Sequence, residues 1–511
     1  MSSIRSLNKS SIRSLNKFKF LTIFFLLTFT SFTTFTYWSI SSWTSTSKIF
    51  PHSVHDTLPT DYCNHPDHIV VGDELVRQAI RSSNDLVLKR VLVMVRHGDR
   101  APLRPVRHFD SIPFNSIPDA QLENKFQRLT QTFKGHSFKA NDSQLTHFQV
   151  LPSSKALGQL TSLGFIQHLH QAKGLADVYL PLKGDVESLI HVWTTSYQRT
   201  FQSAVAFVIG FLNQFNTDNE ITLVKHAVEK VKSSHGTYFC SDKVHCISCR
   251  NLGSLESKLE TVKQDLLDMH PAVKSLMQHV IDVISPQNER DSLVGASKDA
   301  YLKSSAKDLF PTPESVLDGL FSYICHGSQL PCRDNKCVTQ TDSKRLVSFI
   351  INRNRGLLNN KDFVFMSMLK VKGFLEHLND QFSSQHPFLT LFSGHDITLV
   401  PVLTVLGLWD GALPPYASRL VFEVYDKNQE LFVRIIYNGR DMTKKSDVCR
   451  ETSCRSFKDD SRQRNQVTLI PVKLFESWLQ RRFISLANTD NFEEACYHQD
   501  FNPQVNVKAS F

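Results

Sequence analysis

The sequence predicts an α/β fold in which helices flank a mainly parallel central sheet. Three short apolar runs, at 91–95, 189–193 and 387–392, are each followed by a polar turn. Short apolar runs bounded by turns are typical of strands buried on both faces of a parallel sheet. Hydrophobic residues make up 41% of the 511 residues, which is enough for the core of one large domain or of several smaller ones.

The turns after these runs hold the chemically interesting side chains. The first run leads into the segment RHGDRAP at 96–102, which glycine and proline mark as a loop. The second run ends in three hydroxyl residues at 194–196, which can cap a helix, and Arg199 lies in the first turn of the helical pattern that follows. The third run ends in the turn SGHD at 393–396, ahead of another helical stretch.

Other elements complete the predicted domain. A helix is predicted to begin near Thr161. Alternating runs at 420–425 and 431–437 surround a polar turn, which is the pattern of a β-hairpin. Residues 215–385 are rich in helical patterns and cysteine and poor in strand signals. We therefore expect a mostly helical cap, inserted at about 215–385, over the sheet.

The predicted topology brings the polar turns together. Loops at the carboxyl ends of parallel strands converge on one crevice of an open sheet. We therefore expect six side chains to meet there: Arg96, His97, Arg100, Arg199, His395 and Asp396.

This set of side chains suits the hydrolysis of a phosphate ester. Three guanidiniums can bind the phosphate oxygens through paired hydrogen bonds, so we expect no cofactor and no metal. A neutral His97 would be the nucleophile, because neighbouring cations lower the pKa of an imidazole. Asp396 would give a proton to the leaving alcohol, which requires a protonated carboxyl group and predicts an acidic working pH.

The N-terminal residues predict a membrane anchor. Five of the nine net positive charges lie in residues 1–19, and the uncharged apolar run at 20–40 is long enough to span a bilayer. Positive charge before the span predicts a cytoplasmic tail at 1–19 and a lumenal remainder, as in a type II membrane protein. A cleaved signal peptide is the alternative, but its apolar region is usually shorter. Residues 41–85 are predicted as a lumenal stem and 86–511 as the catalytic domain.

After residue 19 the chain carries only four net positive charges, which does not predict a nucleic-acid partner.

All ten cysteines follow the predicted anchor, where an oxidising lumen favours disulfides. The clusters at 240–249 and 325–337 would close short loops. Zinc is the alternative, since His245 and His326 adjoin cysteines, but the irregular spacing disfavours it. The sequon at 141–143 makes Asn141 a candidate for N-glycosylation.

Three segments resemble the signatures of the histidine acid phosphatases. Residues 96–102 resemble the RHGxRxP motif of that family, 395–396 its later HD dipeptide, and 195–200 the segment that supplies its third phosphate-binding arginine. The resemblance implies a phosphoglycerate-mutase-like fold that works without a cofactor. It also implies a role for each residue: His97 as nucleophile, Asp396 as proton donor, and Arg96, Arg100, Arg199 and His395 as the phosphate-binding set.

From about residue 86 onward, longer segments such as LTSLGFIQHL, RIIYNGRDMT and EACYHQDF are similar to one branch of that family. Members of that branch are Golgi type II membrane enzymes that remove the 2-phosphate from xylose in the glycosaminoglycan–protein linkage region. The resemblance implies a phosphorylated glycan or proteoglycan substrate, a Golgi lumenal site, and a glycosyltransferase or xylose-kinase partner. The alternatives are a broad lumenal acid phosphatase, an inositol-phosphate phosphatase, or a non-catalytic phosphoglycan-binding protein. Intact His97 and Asp396 disfavour the last of these.

Overall fold

The computed structural model describes residues 59–69, 71–76, 86–117, 119–136, 138–152, 156–179, 190–212, 220–233, 249–286, 310–384, 388–458 and 466–497. The predicted tail and anchor at 1–40 lie outside these ranges, as do Cys240 and Cys246. Within the ranges, no helix combines the length and the apolar composition of a membrane span.

The described residues form these strands: β1 (Val87–Arg96), β2 (Ile190–Thr194), β3 (Val231–Ser233), β4 (Cys332–Arg333), β5 (Lys336–Cys337), β6 (Leu389–Gly394), β7 (Arg419–Lys427), β8 (Glu430–Tyr437), β9 (Arg440–Asp441), β10 (Arg455–Lys458) and β11 (Gln466–Pro471). The main sheet has the order β10-β11-β8-β7-β1-β6-β2-β3, with β9 beside β8, and β4 and β5 form a separate ribbon.

The main sheet is mixed. Strands β1, β6, β2 and β3 are parallel neighbours, whereas β1–β7, β7–β8, β8–β11 and β11–β10 are antiparallel. The prediction of a mainly parallel sheet is therefore correct for one half and wrong for the other. The predicted hairpin, confirmed as β7 and β8, causes the difference because it adds antiparallel strands beside β1.

The helices of the described residues are α1 (Pro59–Cys63), α2 (Ala120–Phe133), α3 (Ser162–Tyr179), α4 (Gln198–Leu212), α5 (Glu220–Lys230), α6 (Arg250–Asp268), α7 (Pro271–Ile284), α8 (Pro313–Ile324), α9 (Gln340–Leu357), α10 (Lys361–Ser383), α11 (Asp396–Val405), α12 (Asp447–Glu451), α13 (Val472–Ala487) and α14 (Phe492–Tyr497). Short 3₁₀ helices occur at Pro66–His68, Asp73–Val76, Phe109–Ser111 and Thr443–Lys445. Helix α3 begins where predicted, since the Thr161 hydroxyl accepts a hydrogen bond from the Gly164 amide at 3.1 Å.

Both faces of β1 are apolar because helices cover both faces of the sheet. Val91, Val93 and Val95 pack with α3 and α4 on one face. Leu92 and Met94 pack with α10 and α11 on the other face. Alternate side chains of a strand point to opposite faces, so a strand covered on both sides reads as one continuous apolar run.

The cap consists of α7 to α9 with the β4–β5 ribbon and the end of α6, whose earlier turns pack with α10. Its core, which includes Leu317, Leu320 and Ile350, packs against Val106 and Phe109 from the segment after β1. The predicted insertion at 215–385 is too wide at both ends, since β3 joins the main sheet and α10 covers one of its faces. Apolar spacing identifies a helix but does not tell which layer it covers.

The segment predicted as a stem is in part a component of the folded domain. The described residues from 59 to 497 form one compact unit. Buried Cys63 forms a disulfide with Cys325 of the cap, and buried Glu74 accepts from the Arg419 side chain at 3.0 Å. The prediction of a separate stem up to residue 85 is therefore wrong for 59–76. The hydrophilic composition of this segment gives no sign of the few residues, such as Cys63 and Glu74, that are buried in the domain.

Four disulfides join described cysteines: Cys63–Cys325, Cys249–Cys496, Cys332–Cys337 and Cys449–Cys454. Cys332–Cys337 closes a short loop within the predicted cluster at 325–337, and Cys449–Cys454 closes a short loop outside the two predicted clusters. The first two instead connect positions 262 and 247 residues apart. In the ranges that the structure describes, no group of three or more His, Cys, Asp or Glu side chains has the arrangement of a metal site.

Candidate active site

The strand order explains why the predicted residues meet. Strands β1, β6 and β2 are adjacent and parallel, so their carboxyl ends lie at one edge of the sheet. The His97 amide donates to the Gly394 carbonyl at 2.8 Å, and the Thr195 amide donates to the Ser393 carbonyl at 3.2 Å. These backbone bonds hold the three turns side by side.

Arg96 is buried at the centre of the site. Its Nη1 donates to the Pro414 carbonyl at 2.5 Å, and its Nη2 donates to the Tyr62 hydroxyl at 2.6 Å. Nη2 also lies 3.3 Å from Oδ2 of Asp396. The guanidinium carbon is 4.9 Å from the centre of the Tyr62 ring and 4.6 Å from that of Tyr416. Two aromatic rings and one carboxylate thus fix the orientation of this cation.

His97 follows β1 and is buried. Its Nδ1 lies 2.8 Å from the Gly98 carbonyl, and a carbonyl oxygen can only accept, so Nδ1 carries the proton. The lone pair of the neutral ring is therefore on Nε2. Burial lowers the pKa of the His97 imidazole well below its usual value, and the neighbouring cations Arg199 and Arg96 lower this pKa further. His97 is thus a neutral imidazole with an available Nε2.

His395 lies beside His97, with a ring-centre distance of 5.4 Å. Its Nε2 is 2.9 Å from the Thr195 hydroxyl, and its Nδ1 is 3.4 Å from Nη2 of Arg199. Since the guanidinium can only donate, Nδ1 accepts and Nε2–H donates to Thr195. Burial first, and then Arg199, lower the pKa of His395 well below its usual value. The hydroxyl of Thr195, one of the three hydroxyl residues predicted to be able to cap α4, contacts this ring and the Thr200 hydroxyl.

Arg199 lies in the first turn of α4, as predicted, with its guanidinium 4.6 Å from the centre of the Tyr197 ring. Burial lowers the pKa of Arg199 to about 10, so the side chain remains a cation at neutral and acidic pH. The structure thus brings this third arginine to the two histidines.

Asp396 is the first residue of α11, with about a third of its side chain exposed. Burial raises the pKa of its carboxyl group, but Arg96 and Arg100 outweigh burial and hold this pKa below the usual value. The carboxyl group is therefore ionised in the free protein. To act as the predicted proton donor, Asp396 must therefore gain a proton when substrate binds, because the arginines that would bind phosphate also stabilise the carboxylate.

Arg100 is held by the cap. Its Nη2 lies 2.8 Å from Oδ1 of the partly exposed Asp318 in α8, and Oδ2 of the same carboxylate accepts from the Leu103 amide at 2.8 Å. One cap carboxylate therefore fixes both the arginine and the backbone that follows it. Asp318 was not predicted, since one acidic residue in a helix is usually a solvated side chain.

A family model for the histidine phosphatase superfamily (branch 2) matches residues 87–314 and 366–438, which together form more than half of the chain. The chain belongs to this family. The predicted resemblance is thereby confirmed, and the protein is a phosphatase.

This histidine phosphatase is similar to two curated relatives over most of its length. It is 24% identical to 2-phosphoxylose phosphatase 1 of Xenopus tropicalis, over 86% of this chain and 82% of that protein. It is also 24% identical to 2-phosphoxylose phosphatase 1 of Homo sapiens, over 89% of this chain and 91% of that protein. Among solved structures, the multiple inositol polyphosphate phosphatase of Bifidobacterium longum in complex with inositol hexasulfate has a TM-score of 0.47 and 12% identity, covering 78% and 93% of the two chains.

Asp99 holds the loop at 96–102 of this histidine phosphatase in place through buried hydrogen bonds and an ion pair. Its buried Oδ2 accepts from the Thr161 hydroxyl at 2.6 Å and lies 2.9 Å from Nε2 of buried His326. Its amide donates to Gln167, whose Nε2 donates to the Cys63 carbonyl at 2.7 Å. The loop is therefore tied to helix α3, to the cap and to the Cys63–Cys325 disulfide.

Tyr62, Asp99, Asp318 and Tyr416 all contribute to the site, and sequence reasoning assigned a role to none of them. One signal was available, since Asp99 stands between the two arginines of the motif. The other three lie far from the motif along the chain, so only the folded structure shows that they contact it.

Gly98 and Gly164 allow the loop to contact helix α3. A Cβ atom on Gly164 would lie 2.2 Å from the Asp99 carbonyl oxygen, so the loop would have to move. We expect Gly164→Ala to lower the free energy of unfolding by about 1–3 kcal/mol and to reduce activity. Gly253→Ala is the matched control, because nothing lies within 4 Å of its Cβ position in α6, and it should stabilise by about 0.5–1 kcal/mol. Urea unfolding measures the free energy of unfolding of the two variants. Equal values for the two would contradict the close backbone contact.

Proposed function

We propose that this phosphatase hydrolyses phosphate monoesters through a phosphohistidine on His97, and that its substrate is the 2-phosphate of xylose in the glycosaminoglycan–protein linkage region. The observation that carries the chemistry is the tautomer of His97. Its Nδ1 proton is held by the Gly98 carbonyl, which leaves the Nε2 lone pair among Arg96, Arg100 and Arg199. A phosphate bound by these cations would present its phosphorus atom to a neutral nucleophile.

The proposed reaction has two steps. In the first, His97 Nε2 forms a bond to phosphorus while the bond to the ester oxygen breaks. The ester oxygen keeps the electron pair and takes a proton from Asp396, which releases the alcohol. In the second, water attacks the phosphohistidine and gives a proton to the Asp396 carboxylate. Inorganic phosphate leaves, and His97 returns as a neutral imidazole.

Asp396 must gain its proton in the substrate complex. In the free protein it is ionised beside Arg96, at 3.3 Å. A bound phosphate shares the positive charge of Arg96 and Arg100 and brings negative charge close to the carboxylate. Both effects raise the pKa of Asp396 in the complex, so a phosphate monoanion, which predominates at acidic pH, can supply the proton.

The substrate proposal is supported by the similarity to the two 2-phosphoxylose phosphatases, which the chain matches over 82% and 91% of their own lengths. We further propose that the chain is a Golgi type II membrane protein anchored by residues 20–40, with a glycosyltransferase or xylose kinase as partner. Asn141 is exposed in the structure, as a glycosylated asparagine must be. Its glycosylation remains a proposal.

The test is a substrate panel for the purified full-length chain in detergent. Phosphate release is measured from the linkage tetrasaccharide phosphorylated on xylose, p-nitrophenyl phosphate and inositol hexakisphosphate between pH 4 and 7. We expect the largest kcat/KM for the tetrasaccharide. Release mainly from inositol hexakisphosphate would refute the xylose substrate, equal rates throughout would indicate a broad acid phosphatase, and release from none would leave only phosphoglycan binding.

The lowered pKa of His97 predicts a specific pH dependence. Because the imidazole must be neutral to attack, kcat/KM falls only when the pH drops below this depressed pKa, and activity should persist well below pH 6.5. Arg199→Gln removes one of the cations that depress the pKa, so the acid-side fall of kcat/KM should move to higher pH. Arg481→Gln, an exposed arginine of α13, should leave the profile unchanged. A profile that does not move in Arg199→Gln would show that Arg199 does not act on His97.

A further inference from the structure

Asp318 of the cap occupies one edge of the Arg100 guanidinium. Its carboxylate faces the two terminal nitrogens of the arginine, with Oδ1 2.8 Å from Nη2 and Oδ2 3.3 Å from Nη1. The Leu103 amide also donates to Oδ2 at 2.8 Å, which holds the carboxylate in this position. Arg100 is buried, whereas the Asp318 side chain is partly exposed. The ion pair therefore borders on solvent at this end of the arginine cluster.

The donors that Arg100 has left are sufficient for one phosphate group. A guanidinium has five N–H donors, and Nη1 uses both of its own, toward the Ala101 carbonyl at 3.0 Å and toward Asp318. Nη2 uses one N–H toward Asp318. The second N–H of Nη2 and the N–H of Nε remain, and Nε has no hydrogen-bond partner among the described residues. These two donors lie on one side of the planar group, which matches two oxygens of a single phosphate.

Asp318 differs in one respect from Asp396, which also contacts an arginine of the site. Asp396 lies 3.3 Å from Arg96 and gains a proton in the proposed substrate complex, so its negative charge is lost when the ester binds. No step of the proposed reaction protonates Asp318, which stays an anion in its ion pair with Arg100. A bound ester therefore has a permanent carboxylate of the protein close to its phosphate group.

From these contacts we infer that Asp318 is a specificity-determining residue, which limits the substrate to alcohols that carry one phosphate group. This inference rests on the proposed function and deepens it. A second phosphate next to the first would have to displace Asp318 from Arg100 and from the Leu103 amide, or lie beside this carboxylate without a cation. Either arrangement is unfavourable, because an ion pair is broken or two anions are brought together. A sugar whose single phosphate has hydroxyl groups as neighbours avoids both costs.

The test compares the monophosphate of ethylene glycol with its bisphosphate, at about pH 6 and fixed ionic strength. We expect the unaltered protein to have the higher kcat/KM for the monophosphate. Asp318→Asn removes the charge at nearly constant size, and it should raise the ratio of kcat/KM for the bisphosphate to that for the monophosphate by about tenfold. Asp318→Ser removes the same charge and should raise this ratio too. Asp318→Glu keeps the charge and should keep the ratio of the unaltered protein.

The ratio distinguishes a specificity role from a merely structural one. If Asp318 only supports Arg100, its loss weakens both esters equally and the ratio does not change. Asp265→Asn is the matched control, because it removes an exposed aspartate of α6 and should leave the ratio unchanged. An unchanged ratio in Asp318→Asn and Asp318→Ser, or an equal rise in Asp265→Asn, would overturn the assignment.

A binding measurement separates this inference from the proposed function. If the unaltered protein hydrolyses neither ester, the phosphatase proposal fails, and the Kd values of ethylphosphonate and ethylenebisphosphonate decide the role of Asp318. The same Kd values decide it if the variants fold but are inactive. Asp318→Asn should then strengthen binding of the bisphosphonate relative to the monophosphonate by about tenfold. Equal changes in the two Kd values would refute the inference.

Discussion

Replacement of His97 by alanine is expected to lower kcat by at least about 10⁴-fold, because it removes the nucleophile on which the proposed covalent intermediate forms. His97 Nε2 is the available lone pair among the three arginines. Without His97, water would have to attack the phosphate ester directly, although the arginines would still bind the ester. The variant should therefore retain affinity for inorganic phosphate while it loses turnover.

Two measurements check this prediction. Initial rates with p-nitrophenyl phosphate give kcat, and rapid acid-free quenching with radiolabelled ester detects the acid-labile phosphohistidine, which His97→Ala should lack. His170→Ala is the matched control, since His170 is a partly buried histidine of α3, outside the site. A His97→Ala protein that kept its rate within tenfold of the unaltered protein would rule out the covalent mechanism.

Replacement of Asp396 by asparagine is expected to slow alkyl phosphates about 10²- to 10⁴-fold, which is the usual contribution of a positioned proton donor. Esters with a dinitrophenol leaving group should be affected much less, since this phenolate departs without a proton. The variant also removes the carboxylate that lies 3.3 Å from Arg96, so phosphate should inhibit it more strongly than it inhibits the unaltered protein.

The slope of log kcat against the pKa of the leaving group measures this effect. It should become steeper in Asp396→Asn and remain unchanged in Asp490→Asn, where an exposed aspartate follows α13. An equal loss of rate for all leaving groups would assign Asp396 a positioning role toward Arg96 in place of proton donation.

The part of the site that could be predicted from sequence is the part encoded in short segments. Arg96 and His97, and likewise His395 and Asp396, are pairs of adjacent residues that follow apolar runs. A buried strand followed by a polar turn is a local pattern, and the convergence of such turns follows from parallel pairing. The hairpin of β7 and β8 and the start of α3 are local patterns too, and both are confirmed.

The part that could not be predicted depends on contacts between distant residues. Tyr62 reaches Arg96 from a segment that reads as a stem, and Asp318 reaches Arg100 from the cap. Single polar residues in such segments have no periodicity to mark them. The ionised state of Asp396 in the free protein could not be predicted either, because its pKa depends on a balance between burial and two arginines that requires the folded geometry.

The disulfide between Cys63 and Cys325 closes a loop of 262 residues that contains the first strand, the RHGDRAP loop and most of the cap. A cross-link over so long a loop restricts the unfolded chain, and chain-entropy estimates give a stabilisation of about 5 kcal/mol. The cross-linked residues also adjoin the site directly, through Tyr62 and His326. Formation of this disulfide and assembly of the active site are therefore coupled. Without the disulfide, more unfolded conformations compete with the folded site. The fraction of active molecules should therefore depend on the redox conditions under which the chain folds.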